Sequence, residues 1–240
     1  MGGDGRWRLF KDEGKYLDRF GLVLALTTIS VSVLALVDLD DPGENLRSSV
    51  GRLVVTFTVG ITLLIALRAS GVTRSWQRFA DIVIGLTLVA EVIFELLTPF
   101  LDLAPSLNPG RPSALWVAIA VLSPIVVLRR VLSHSAVTYE TLAGALSVYL
   151  LVAIAFSYLF LEVQRFGSVP FFGVEESTSS FMYFSLVTVT TVGYGDLAAV
   201  SDLGRYLATA EAIIGQVFLV TIVARLVSLY SRAPTQPELD

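Results

Sequence analysis

The sequence predicts an all-α membrane protein: six membrane-spanning helices, and one shorter re-entrant segment between the fifth and the sixth. Three observations carry that reading. Of the 240 residues, 54% are hydrophobic and the mean hydropathy is +0.73. Only 16% are charged, against roughly 25% in soluble domains. Finally, the apolar residues are gathered into runs approaching the about 20 residues that a helix rising about 1.5 Å per residue needs to cross about 30 Å of hydrocarbon.

Each element follows from an uncharged run. After a charged segment, residues 1–19, comes Phe20–Val37, longer than the apolar part of a cleaved signal and so read as a retained first span. Further spans are expected at Leu53–Leu67, Ala80–Thr98, Ser113–Leu128, Thr141–Leu161 and Leu207–Leu229. Between the last two lies Ser177–Gly195, uncharged, opening on serines and a threonine and closing on two glycines. It reads as a short helix followed by non-helical backbone. Such backbone is tolerated at membrane depth only where protein buries it or water lines it, so a re-entrant loop is expected.

Charge sets the orientation. With both termini in the cytoplasm, twelve lysines and arginines fall inside, Arg129, Arg130 and Arg225 among them, and five fall outside: Arg47, Arg52, Arg111, Arg165 and Arg205. That asymmetry obeys the positive-inside rule and an even number of spans, as expected of a multi-pass protein, and the short tail and compact loops suggest, by analogy, the cell (plasma) membrane of a prokaryote. The chain has no cysteine and a single histidine, His134. Thiolate chemistry is therefore excluded, and most zinc sites and nucleophile triads lack their ligands or base. Neither an enzyme nor a cofactor is expected, and nothing points to nucleic acid. No internal repeat or soluble domain is visible in the sequence.

The re-entrant segment ends in Thr190-Thr191-Val192-Gly193-Tyr194-Gly195-Asp196, and here the sequence resembles the tetrameric potassium-channel family through its selectivity-filter signature. A potassium ion leaving water needs oxygen ligands in place of its hydration shell, which a ring of backbone carbonyls provides. Successive carbonyls face one way only if some residues take left-handed dihedrals, which glycine adopts freely, so Gly193 and Gly195 alternate with larger residues. The resemblance implies potassium sites at the carbonyls of Thr191, Val192, Gly193 and Tyr194, next to Gly195, with the Thr191 hydroxyl as a further ligand. Since one segment is a quarter of a ring, it also implies a four-fold homotetramer in lipid, with potassium as the permeant ion.

The likeness covers roughly Thr141–Ser231 and implies four regions. These are a cytoplasmic segment (1–19), a four-helix transmembrane domain (20–134), a pore domain (135–232) and a short tail (233–240). Within the pore domain it implies a pore helix over Phe181–Thr190, whose negative end faces a central cavity. Gly215 is implied as the hinge of the inner helix, with close packing of helices as the alternative, and Leu219, Val220, Val223 and Val227 as its cavity and gate face. Two positions depart from the pattern: a tryptophan pair that often braces the filter is replaced by Tyr183 and Phe184. Tyr183 keeps a hydroxyl for Asp196, Phe184 has no donor for Tyr194, and Thr188 is the substitute partner for that hydroxyl. The filter is therefore expected to lose conduction at low potassium.

The layout resembles that of voltage-gated channels, yet Ser113–Leu128 carries no arginine ladder. Sensing needs several charges in the field, each worth about 2.3 kcal/mol per 100 mV, so little or no intrinsic voltage dependence is expected. An atypical voltage-gated channel and a nonconducting scaffold are the alternatives. Glu91 and Glu95, one turn apart in the third span, are candidates for structural pairing, with Arg52 as the depth-matched partner of Glu95, for water access or for sensing a proton or cation. Glu211 in the sixth span is expected to bond pore-helix hydroxyls.

Overall fold

The computed structural model describes residues 9–36, 114–132 and 138–230, with scattered helical positions between 54 and 93. Arg52, Glu91 and Glu95 lie outside the described residues, and with them the pairing expected in the third span. Among the described residues every regular element is a helix. Helix α1 is Leu9–Leu36, α2 is Ala114–Leu132, α3 is Tyr139–Phe166, α4 is Thr178–Val189 and α5 is Asp202–Tyr230. Two of them, α3 and residues 202–225 of α5, are long and apolar enough to cross a membrane.

α1 begins at Leu9, eleven residues before the expected first span. Lysine, arginine and glutamate are good helix formers, so a helix need not stop where its apolar part does. A buried hydrogen bond of 2.8 Å joins Ser30 to Thr62 in the second expected span.

α3 is the central post. Thr138 caps it, receiving the Thr141 amide, while the Thr141 hydroxyl accepts the Thr138 amide in return, a capping box with threonine in the usual glutamate place. Its first turns are rich in small residues, which lets neighbours approach closely. A Cβ on Gly144 would lie 2.7 Å from Val131 of α2 and 3.1 Å from Phe20 of α1. Toward its other end, where Gly167 stops it by donating to Val163, α3 meets the loop that leads to α4.

Five phenylalanines fill the space behind α4. Phe160 of α3, Phe171 and Phe172 of the loop, and Phe181 and Phe184 of α4 stand with ring centroids 4.9–5.9 Å apart. Tilted and edge-on pairs at such spacing add about 0.5–1.5 kcal/mol each beyond the area they bury. The loop is also tied to the segment that leads into α5, since Phe171 accepts the Val200 amide at 3.0 Å. α5 then starts under this cluster. Gly204, whose Cβ would meet Phe171 at 2.8 Å, is needed there for close approach.

Candidate functional site

Helix α4 ends by a defined mechanism. Val192 donates to the Val187 carbonyl at 3.0 Å and Thr191 donates to the Thr188 carbonyl at 2.9 Å, while Thr190 keeps right-handed dihedrals. These two bonds make a Schellman motif, in which the first residue past the cap is left-handed and is usually glycine. Here that residue is Thr191, at φ 59°. A β-branched residue in this region is an outlier, and such strain gathers at functional sites.

The left-handed turn then repeats. Thr191 (φ 59°), Gly193 (φ 56°) and Gly195 (φ 78°) all have positive φ, and Val192 and Tyr194 between them do not. This is the alternation expected from the glycines, extended one step further back to a residue that sequence reasoning had not counted. The missing signal was a helix stop, because a helix C-terminus is normally announced by glycine and none stands at position 191.

Every carbonyl that α4 leaves unpaired at its end finds a donor. Leu186 accepts from Thr190, Val187 from Val192 and Gly193, Thr188 from Thr191, and Val189 from the Tyr149 hydroxyl at 2.7 Å. Tyr149, on α3, was missed at the sequence level. A tyrosine in an aliphatic span does signal a buried acceptor, but one 40 residues away cannot be read from the chain.

The residues expected to support this segment differ in kind. Tyr183 donates to Asp196 at 2.7 Å, as expected. That bond, accepted by a carboxylate, raises the Tyr183 phenol above its ordinary range, and Tyr183 lies outside the two spanning helices. The phenol therefore stays protonated, and the bond intact, through neutral and moderately alkaline pH. Phe184 is buried in the phenylalanine cluster of its own chain. A ring without a polar handle gains most where it is fully covered by other rings. Thr188 contributes its main-chain carbonyl. Val192 and Tyr194 are exposed in the single chain.

α5 runs through Gly215 without a break. A Cβ there would fall 2.8 Å from both the carbonyl oxygen and a methyl of Val189, so close approach to the end of α4 accounts for the glycine. Glu211, one turn earlier, is fully buried, and its carboxyl bonds the Ser185 hydroxyl of α4. Leu219, Val220, Val223 and Val227 all lie exposed in the single chain.

A protein-family model described as "Ion channel" matches residues 141–232, the stretch from α3 through α5. Over this stretch the chain is similar to ion channels. A cyclic nucleotide-gated potassium channel of Mesorhizobium japonicum is 31% identical over 137 residues, 52% of this chain. The chain spans about a third of that channel's length, 36%. The protein LctB of Bacillus caldotenax is 26% identical over 136 residues, covering 53% of this chain and 92% of LctB. No solved structure matches. The matched segment thus holds the strained turn, its hydrogen-bonded partners and both long apolar helices.

Proposed function

We propose that the chain is one subunit of a potassium-selective channel, in which four copies bring their Thr191–Gly195 segments around a common axis. The observation that carries the proposal is the positive φ at every second residue, Thr191, Gly193 and Gly195. Alternating handedness turns successive carbonyls toward one side, so four such segments would line a path with oxygens spaced to replace the water shell of potassium. Support for several copies comes from α5: only 17% of its apolar window is buried in the single chain, against 72% for α3. That exposed face is open to neighbouring subunits as well as to lipid, and a closed ring of identical subunits would pack against part of it.

In this reading six spans cross the plasma membrane with both termini in the cytoplasm. Thr191, Val192, Gly193 and Tyr194 hold the ions, Asp196 anchors the outer end through Tyr183, and Leu219, Val220, Val223 and Val227 line the inner cavity. Residues 114–128 of α2 carry no charge, and the two arginines stand at its end, which favours conduction without a voltage ladder over a voltage-gated channel.

The test is flux. Purified protein in liposomes should pass potassium in large preference to sodium, and its mass in mild detergent should be four times that of one chain. Equal sodium and potassium flux, or a different subunit number, would overturn the proposal.

A further inference from the structure

The re-entrant helix is held at two levels, each built from three helices. α3 supplies Tyr149 and Ala153, α4 supplies Ser185 and Val189, and α5 supplies Glu211 and Gly215. Each pair is four residues apart, so each lies along one face of its helix. At the lower level the Val189 carbonyl accepts from Tyr149 and is overlaid by Gly215. At the upper level the Ser185 hydroxyl lies 2.7 Å from the Ala153 carbonyl and also within hydrogen-bond reach of the Glu211 carboxyl.

The upper level has a proton count. Two oxygen–oxygen contacts at this range need two hydrogens, because oxygens with no hydrogen between them repel. A serine hydroxyl carries one and a backbone carbonyl none. The second hydrogen has one remaining source, the carboxyl of Glu211.

The surroundings agree. The other carboxyl oxygen, Oε2, is buried with no hydrogen-bond partner among the described residues. An ionised carboxylate with a bare, desolvated oxygen is expensive, whereas the carbonyl oxygen of a neutral acid is much less so. Glu211 is already covered within one chain, so its burial does not depend on a neighbouring copy. Of the titratable groups on the packed helices, α3 brings the Tyr149 phenol within electrostatic reach. On α4 the Tyr183 hydroxyl is committed to Asp196. On α5 itself, Arg205 bonds the Ala199 carbonyl and Arg225 bonds the Leu132 carbonyl.

We propose that Glu211 is a neutral carboxylic acid that donates to Ser185, which donates in turn to Ala153, and that this relay is a positioning device fixing the inner helix to the helix that carries the filter. It rests on the channel reading only for its consequence in conduction. The relay runs one way, from α5 through α4 to α3, and losing the proton at Glu211 would place two acceptors in contact and push α5 away from α4.

The test uses the full chain in liposomes and two readouts. Infrared spectroscopy should show the carbonyl stretch of a neutral carboxylic acid that is missing in E211Q and displaced in S185A. Potassium flux should fall at least about fivefold, the equivalent of one hydrogen bond, in E211L. E211Q, whose amide can also donate, should recover most of that loss. If E211L does not assemble, S185A breaks the same relay and should show the same fall. Alkaline pH should reduce flux in the native protein and leave E211Q unaffected. The proposal is overturned if E211Q removes no neutral-acid band, or if both E211L and S185A conduct like the native protein. A band without any potassium flux would support the proton assignment and overturn the channel reading alone.

Discussion

Replacing Gly215 by alanine tests the packing of the inner helix against the filter-bearing helix. Two effects oppose each other. Alanine is favoured over glycine inside a helix by about 1 kcal/mol, so an unencumbered G215A should stabilise the protein. The added Cβ, however, would sit 2.8 Å from the Val189 carbonyl oxygen, and a backbone atom cannot swing aside as a side chain does. Forcing one extra carbon into such a contact costs about 1–3 kcal/mol. The displaced carbonyl is the one that accepts from Tyr149, a bond worth about 1 kcal/mol. The net expectation is a loss of about 2 kcal/mol, or about thirtyfold in the folded-to-unfolded ratio. Denaturant unfolding of the reconstituted protein measures it, with Y149F and the double variant completing a cycle. Because both changes act on one carbonyl, the double variant should lose less than the two singles together, by about 0.5–1 kcal/mol. A G215A protein as stable as the native one, or more so, would refute the reasoning. If its only change were then in channel opening, the glycine would be a bending point.

Other outcomes follow from the same structure. T191G removes the left-handed strain of a β-branched residue, about 1–2 kcal/mol, and should unfold at higher denaturant while losing potassium-over-sodium selectivity with its hydroxyl. T191S, which keeps the hydroxyl, should retain selectivity. F184W should not firm the filter. It would overfill the phenylalanine cluster, destabilising the fold by about 1–3 kcal/mol, and currents in low potassium should decay no more slowly than in the native protein. Y183F removes the bond to Asp196 and should quicken that decay, as recorded in macroscopic currents on lowering external potassium. Neutralising Arg129 and Arg130 together should leave the conductance–voltage relation unchanged, since both sit in the last turn of α2.

Much of this protein is legible in its sequence because the information is local. Hydropathy in windows of about 20 residues locates spans, since the bilayer acts on each segment separately. α3 and α5 appear where the runs Thr141–Leu161 and Leu207–Leu229 placed them, each lengthened by a few polar residues that continue the helix into the interface. The Thr191–Asp196 motif is equally local. Gly193 and Gly195 predict left-handed backbone by themselves, because the only competing cost is a Cβ they do not have.

What the tertiary structure decided are matters of partner and direction. That Thr191 is forced left-handed depends on the closing bonds of α4, not on any preference of threonine. That Phe184 faces its own chain's aromatic cluster depends on Phe171 and Phe172 arriving from the loop. Tyr149, Ser185, Glu211 and Gly215 come together from three helices spread over 67 positions of sequence, through contacts that no spacing along the chain encodes. Propensity and hydropathy are properties of a residue and its neighbours in the chain. Strain, proton placement and close approach belong to pairs, and pairs exist only once the helices have packed.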